Sequence, residues 1–150
     1  PRPSMRTLAN AMDVGEPSNF ERMLQIFGAD HQDMRAMVGG EAVTDAEIME
    51  TISHYYHSQR IFLDPHTAAG VHAAQRYLEG DGAADASVIT LATAHPAKFV
   101  ETVERATGVR PELPERLAEA MRREKQSVRV KPTLDSLRDY LLAHHAGDGA

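Results

Sequence analysis

The sequence has 150 residues, a formal net charge of −6 and no cysteine, and 42% of its residues are hydrophobic. This composition is typical of a globular domain, and the absence of cysteine excludes disulfides and thiolate metal sites. The net negative charge argues against nucleic-acid binding, which needs a basic face. Without an apolar run of about eighteen residues or a signal-like segment at residues 1–10, we expect no membrane partner and a cytoplasmic location.

Helices are predicted over most of the chain. Residues 1–17 form an irregular lead-in, because they are interrupted by prolines and a glycine. Two capping boxes, each a serine or threonine followed three residues later by glutamate, begin helices at Ser18–Glu21 and Thr44–Glu47. Apolar spacing, prolines and glycines then predict helices over about 18–28, 30–38, 45–58, 65–80, 96–108, 112–125 and 133–145.

Three short runs predict strands: residues 61–63, 87–93 and 127–130. The second is rich in β-branched residues and almost continuously apolar, as is typical of a strand buried on both faces. Because 61–80 and 87–106 each read as a strand followed by a helix, we expect an α/β fold with a small, three-stranded, partly parallel sheet. A single domain is expected over 18–145, with a flexible tail over 146–150.

The segment Asp64–Gly70 combines a break in the chain with the start of a helix. Pro65 cannot take part in a strand ladder and keeps Asp64 out of helical backbone angles. His66 and Thr67 then lie at a helix N-terminus, where unpaired backbone N–H groups and the helix dipole favour ligand binding. A simpler interpretation stays open, in which Thr67 only caps the helix, the commonest use of such a residue.

A second polar segment, Thr93–Phe99, follows the best strand candidate and begins the next helix. Ligands of open α/β sheets gather beyond the carboxyl ends of strands, so we expect this segment and Asp64–Gly70 to share one site. His95 and Lys98 are candidate contacts there, although Lys98 could equally be a solvated lysine. Ser18-Asn19 could offer N–H groups to an anion at another helix start, or could serve only as a cap.

Motifs of several other enzyme classes are absent. The glycines form neither a P-loop nor a Gly-x-Gly-x-x-Gly motif, and there is no Gly-x-Ser-x-Gly elbow or cysteine nucleophile. The eight histidines suggest a metal, but they do not form a His-Glu-x-x-His pattern. Surface or capping roles are the better interpretation, so we predict no metal site.

Four segments carry a family resemblance: Ala11–Val14, Pro17–Arg22, Asp64–Ala68 with Gly70, and Thr93–Phe99. In order and spacing they resemble the threonine synthase family, whose members use pyridoxal phosphate to convert O-phospho-L-homoserine and water to L-threonine and phosphate. The resemblance extends from about Thr7 to Leu142, and Ala69 departs from it where the family usually has valine. It implies the helix-rich C-terminal part of a fold-type-II, tryptophan-synthase β-like enzyme, a lyase whose cofactor lies between two α/β domains.

The resemblance also implies residue roles. Thr67 matches the hydroxyl that meets the pyridine nitrogen of the cofactor; a threonine cannot protonate the ring, so this nitrogen would stay neutral. His66 would line or buttress the same cofactor pocket. The substrate-pocket candidates are Ser18, Asn19, His95 and Lys98.

The resemblance covers only the C-terminal third of the family's length. The lysine that forms the Schiff base and the glycine-rich phosphate-binding loop belong to upstream segments without a counterpart in this sequence. We therefore expect the chain alone to be inactive and not to bind pyridoxal phosphate covalently. Apolar faces that normally meet the missing part would be exposed, so we expect self-association.

Two functions of other classes remain open at this point. A helical interaction module without enzymatic activity could use the same segments as helix caps. A metal-dependent hydrolase could be built on Asp64, His66 and His95. A reading frame upstream that carries the lysine and glycine-rich segments would favour the enzyme, and metal analysis of the purified protein would test the hydrolase.

Overall fold

The computed structural model describes residues 3–28, 31–80 and 85–145. Helices make up the regular structure of these residues: α1 Phe20–Phe27, α2 His31–Met37, α3 Asp45–Gln59, α4 Pro65–Glu79, α5 Val100–Thr107, α6 Glu115–Arg122 and α7 Leu134–His145. A 3-10 turn, Pro96–Phe99, leads directly into α5. None of the described helices is long and apolar enough to cross a membrane.

The predicted three-stranded sheet is wrong for the described residues, which contain no strand. The runs 61–63, 87–93 and 127–130 are non-helical, but none of them pairs with a neighbour. β-Branched composition reflects a fit to a pleated, half-buried surface rather than an intrinsic backbone preference, and that surface is missing here. Ile89 and Leu91 are 86% and 76% exposed, so no described layer covers them. The described part of the chain is therefore helix-rich.

Most predicted helices are present, with ends shifted by a few residues. The helix expected to begin at Pro96 starts as the 3-10 turn, and α6 is shorter than the predicted 112–125. Residue 30 of the predicted helix 30–38 and the predicted tail 146–150 lie outside the described residues.

The two predicted capping boxes have different outcomes. At Thr44 the box is confirmed, because the Glu47 backbone N–H donates to Thr44 Oγ1 and the Thr44 N–H donates to Glu47 Oε2, at 3.4 and 2.7 Å. At Ser18–Glu21 it is wrong, because α1 begins after Asn19 without a side-chain capping bond. Backbone bonds such as Glu21 N–H to Ser18 C=O, at 3.3 Å, close that first turn instead.

The described chain divides into two compact units between Leu113 and Pro114. The single domain over 18–145 stays a prediction. In the first unit, α3 packs against α4 and α5. Its main buried cluster is formed by Ile48, Ile52, Leu63 and Ala68, and Ala97 and Val103 are buried as well. The second unit contains α6 and α7, and α6 buries none of its residues.

The irregular lead-in is held against the first unit at two points. Leu8 packs on the buried core, and its N–H donates to Asp45 Oδ1 at 2.9 Å, at the start of α3. Ala11 donates its N–H to His66 Nε2 at 3.3 Å, at the start of α4. The lead-in therefore reaches the N-termini of both central helices.

Candidate functional site

Asp64 caps α4. Its extended backbone, with φ −79° and ψ 162°, precedes Pro65 at the first helical position, and its Oδ1 accepts the N–H of His66 at 2.9 Å. Thr67 is therefore inside the first turn, and the interpretation in which it is the cap is wrong. An aspartate directly before a proline is a recognised helix start, and this was the available sequence signal for the role of Asp64.

The carboxylate of Asp64 is the centre of a buried polar cluster, and only 1% of the residue is exposed. Oδ1 accepts from both the backbone N–H and Nδ1 of His66, each at 2.9 Å. Oδ2 accepts from the hydroxyl of Thr67, which is itself only 6% exposed. Both carboxylate oxygens are thus satisfied within four consecutive residues, Asp64–Thr67, which we name the Asp64 cluster.

His66 uses both of its ring nitrogens inside the protein. Because Nε2 accepts the N–H of Ala11, the ring proton is on Nδ1, where it donates to Asp64. This tautomer is neutral. The ring face packs against Phe99, with the ring centroids 4.9 Å apart. His66 therefore joins the lead-in, the start of α4 and the 3-10 turn.

The two polar segments singled out in the sequence are brought together. Besides the contact of His66 with Phe99, α4 approaches the run 87–93 closely at Gly70. A Cβ atom built on Gly70 would lie 3.0 Å from Cγ2 of Thr90, so only glycine allows this spacing without a shift. The expected proximity of Asp64–Gly70 and Thr93–Phe99 is therefore present, although side-chain packing and not a sheet produces it.

His95 begins the second polar segment and borders a cavity. Its Nδ1 accepts the N–H of Ala97 at 3.1 Å and caps the 3-10 turn, so a neutral ring carries its proton on Nε2. The cavity has a volume of about 480 Å³ and is lined by Tyr56, Phe62, His95, Pro96, Val109, Arg110, Pro111 and Glu112. Lys98 lies in the same turn, and its side chain is exposed.

The other predicted site residues lie apart from that cavity. Ser18 borders a separate cavity with Phe20 and Leu24, and Asn19 directly precedes α1. Thr67 and His66 line none of the four best-defined cavities of the described residues. The chain thus presents the Asp64 cluster and His95 on neighbouring segments, without one cavity that contains all the candidates.

A metal centre has no support in the described part of the chain. There, no three His, Asp or Glu side chains are grouped so that they could bind a metal ion. Asp64 and His66 do touch, but they bond to each other and to backbone or hydroxyl donors. The alternative of a metal-dependent hydrolase on Asp64, His66 and His95 therefore gains nothing from the structure.

Comparison with known proteins shows a consistent set of relatives. A family model described as "Threonine synthase, C-terminal" matches residues 67–141. Threonine synthase of Pseudomonas aeruginosa is 32% identical over 92% of this chain and 34% of its own length. The enzyme of Haemophilus influenzae is 34% identical over 95% of this chain and 32% of its own length.

Solved structures show the same likeness. Threonine synthase from Escherichia coli matches 96% of this chain and 32% of its own, with a TM-score of 0.74 and 30% identity. The pyridoxal-phosphate-bound threonine synthase from Brucella melitensis matches 95% of this chain and 35% of its own, with a TM-score of 0.65 and 29% identity. This chain spans about a third of the length of these relatives. Because the family model matches half of it, the chain belongs to the threonine synthase family, in the C-terminal part that this model describes.

Proposed function

We propose that this chain supplies part of the active site of a threonine synthase, which converts O-phospho-L-homoserine and water to L-threonine and phosphate with pyridoxal phosphate. The observation that carries the proposal is the likeness in fold of almost the whole chain to the Escherichia coli enzyme. The relative with pyridoxal phosphate bound supports the choice of cofactor.

By the family resemblance, the hydroxyl of Thr67 would meet one end of this cofactor. It lies in the first turn of α4, is buried, and is held in place by its bond to Asp64. The cofactor, when bound, supplies a ring that takes up negative charge from the substrate. Thr67 would bind the nitrogen edge of that ring. His66, whose nitrogens already bond to Asp64 and Ala11, would support this segment from behind.

The rest of the cofactor site is proposed to come from polypeptide outside this chain. The described residues contain no glycine-rich loop at a helix start that could surround a phosphate. Lys98, Lys125 and Lys131 are exposed, so none of them has the desolvated environment that favours a Schiff base. We therefore propose that the chain alone neither binds the cofactor covalently nor catalyses the reaction.

For two of the four substrate-pocket candidates, His95 and Lys98, the proposed partner is the phosphate of the substrate. His95 has Nε2 available as a donor, and Lys98 carries an exposed ammonium group in the same turn. Charge-assisted bonds from such groups suit a phosphate oxygen. Nothing in the described geometry joins Ser18 or Asn19 to His95, so their role stays a prediction.

Self-association of the isolated chain belongs to the same proposal. The exposed apolar residues of the run 87–93, notably Ile89 and Leu91, have no described partner. A second copy would cover them in the absence of the polypeptide that relatives possess. An interaction module would expose the same run, so oligomerisation alone does not separate the two functions.

The cytoplasmic location stays a prediction.

A hybrid enzyme tests the proposed function. In this hybrid, the chain replaces the third of Escherichia coli threonine synthase that it matches. The purified hybrid should retain pyridoxal phosphate through gel filtration and release phosphate from O-phospho-L-homoserine as threonine forms, whereas the chain alone should do neither.

Two matched variants of the hybrid identify the site. T67V removes the hydroxyl while keeping the side-chain shape, and it should weaken cofactor retention severalfold. T102V makes the same change on α5, at a residue that is not part of the Asp64 cluster, and should leave retention unchanged. A folded hybrid that holds the cofactor and forms no threonine would contradict the proposed reaction.

A further inference from the structure

We propose that the cavity next to His95 binds a free L-amino acid in its zwitterionic form. Arg110 pairs with the carboxylate of this ligand, Glu112 pairs with its ammonium group, and the apolar wall of the cavity takes its side chain. The ligand is distinct from the reacting substrate, whose amino group has to reach the cofactor. The proposal also uses neither Nε2 of His95 nor Lys98, the groups assigned above to the substrate phosphate, and it does not depend on the proposed function.

One wall of the cavity is apolar and well packed. The rings of Tyr56, near the end of α3, and Phe62 have centroids 4.6 Å apart. Pro96 and Pro111 border the same space, and Pro111 is buried. The cavity volume of about 480 Å³ is typical of small-molecule sites, which are mostly apolar and contain a few polar groups that fix the ligand's orientation. This wall therefore suits an aliphatic or aromatic side chain.

The charged side of the cavity is anchored by Thr107, the last residue of α5. Thr107 is only 5% exposed, and its Oγ1 accepts the N–H of Val109 at 3.1 Å and donates to the C=O of Val103 at 2.8 Å. Gly108 ends the helix with a left-handed backbone, at φ 72°. The non-helical segment 109–112 therefore leaves α5 in a direction that a buried hydroxyl fixes.

Arg110 and Glu112 carry opposite charges and border the cavity two residues apart. Within the described part of the chain, Glu112 has no hydrogen-bond or ion-pair partner. Arg110 reaches Glu104 at 3.4 Å, but both of these side chains are well exposed, and such a pair contributes little. The two charges are therefore available to a ligand. A ligand with one charge would be repelled by one of them, whereas a zwitterion complements both.

Isothermal titration calorimetry of the chain with L-phenylalanine tests the proposal. We expect saturable binding in the millimolar range or tighter, because the ligand is small and its charged partners are partly hydrated. N-acetyl-L-phenylalanine lacks the ammonium charge and L-phenylalaninamide lacks the carboxylate, so each should bind about tenfold more weakly. Glycine keeps both charges but lacks the apolar side chain, and it should also bind about tenfold more weakly.

Two variants assign the charged groups. E112Q should abolish the preference for L-phenylalanine over the N-acetyl compound, and R110Q should abolish the preference over the amide. E115Q and R116Q make the same changes on α6, at residues that line none of the four best-defined cavities of the described residues, and should leave the affinities unchanged. Both cavity residues are exposed, so the variants should fold, and circular dichroism checks this.

Three results would overturn the proposal: no saturable binding of L-phenylalanine, equal binding of its N-acetyl derivative, or unchanged preferences in E112Q and R110Q. Equal binding of the N-acetyl derivative would mean that the cavity recognises an anion rather than an amino acid. None of these results bears on the proposed reaction, which is measured on the hybrid enzyme.

Discussion

Arg76 on α4 donates to Glu47 on α3, and the same carboxylate closes the capping box at Thr44. Arg76 also binds Glu41, and His72 Nε2 lies 3.7 Å from Glu47 Oε1. The Glu47 side chain thus caps the start of α3 and also binds α4, the helix whose first turn carries Thr67. The position of the candidate site depends on this pair of helices.

This arrangement predicts a pH dependence of stability. Hydrogen bonds from the backbone and side chain of Thr44 lower the pKa of Glu47 below 4.5, and the charge of Arg76 acts in the same direction. A carboxyl whose pKa is lower in the folded state contributes stability above its unfolded pKa and loses it as the pH falls through the folded value. The E47Q variant should therefore be less stable than the unmodified chain at pH 7, and the difference should shrink below about pH 4.5.

Urea unfolding between about pH 7 and pH 3 measures this difference. E50Q, on the same helix but outside the group around Glu47, is the matched control. Its difference in unfolding free energy from the unmodified chain should change little over this pH range. A difference in unfolding free energy between E47Q and the unmodified chain that stays constant across this range would contradict the prediction.

The Asp64 cap of α4 predicts that a variant without the capping carboxylate is less stable than the unmodified chain. D64A leaves the His66 N–H, the His66 ring and the Thr67 hydroxyl without their acceptor in a buried place. Loss of a capping side chain costs about 0.5–2 kcal/mol, and each buried group left unpaired adds about 1–3 kcal/mol. We expect D64A to lose about 3 kcal/mol in free energy of unfolding.

D64N separates the cap from the charge in the same experiment. It preserves the cap, so it should lose clearly less stability than D64A. Denaturant unfolding of both variants checks the order, with circular dichroism to show that the helices are intact. Equal losses in the two variants would mean that the capping bond contributes little to stability.

The contact between His66 and Phe99 predicts that truncation of Phe99 destabilises the chain more than truncation of an exposed phenylalanine. F99A removes a half-buried ring that packs on His66 and holds the 3-10 turn against α4. Truncation of a buried phenylalanine costs about 3–5 kcal/mol, and partial exposure reduces this to about 2 kcal/mol here. F20A is the control, since Phe20 is 49% exposed on α1 and should cost less.

Hydrogen exchange gives a second measurement of the same contact. The Ala11 N–H donates to His66, so its protection should fall in F99A as the imidazole loses its packing. Unchanged protection of Ala11, or a greater loss of stability in F20A than in F99A, would show that the ring pair does not hold the lead-in.

Local signals account for what the sequence predicts correctly. The Thr44–Glu47 box needs only residues three apart, so its helix can be located from four letters. Pro65, Gly80 and Gly108 mark helix ends for the same reason. The run 87–93 fails as a strand because a strand also needs a pairing partner, which local sequence does not encode. Ser18–Glu21 fails as a box even though its letters fit, which shows that a motif permits a bond without enforcing it.

The candidate site was predicted in part. The pattern places His66 and Thr67 at a helix start, and the structure does so too. The sequence pattern does not predict that Asp64 accepts hydrogen bonds from both His66 and Thr67. The orientation of these side chains depends on burial and on the contact with Ala11, which is far away in the sequence. The pattern also misses the packing of Gly70 on Thr90, since nothing local connects residues twenty apart.

The packing of Gly70 on Thr90 predicts a coupling between substitutions at the two positions, which a double-mutant cycle measures. Alanine at this helical position gains about 0.5–1 kcal/mol in backbone preference, but its Cβ would lie 3.0 Å from the Thr90 methyl group, so the neighbour has to move. T90S removes only that methyl group. We therefore expect G70A to be near neutral in the unmodified chain and stabilising by about 0.5–1 kcal/mol in the T90S background. Urea unfolding of the four proteins measures the coupling. If G70A has the same effect in both backgrounds, the run 87–93 is not held against α4 by this contact, and the proximity of the two polar segments rests on the His66–Phe99 ring pair alone.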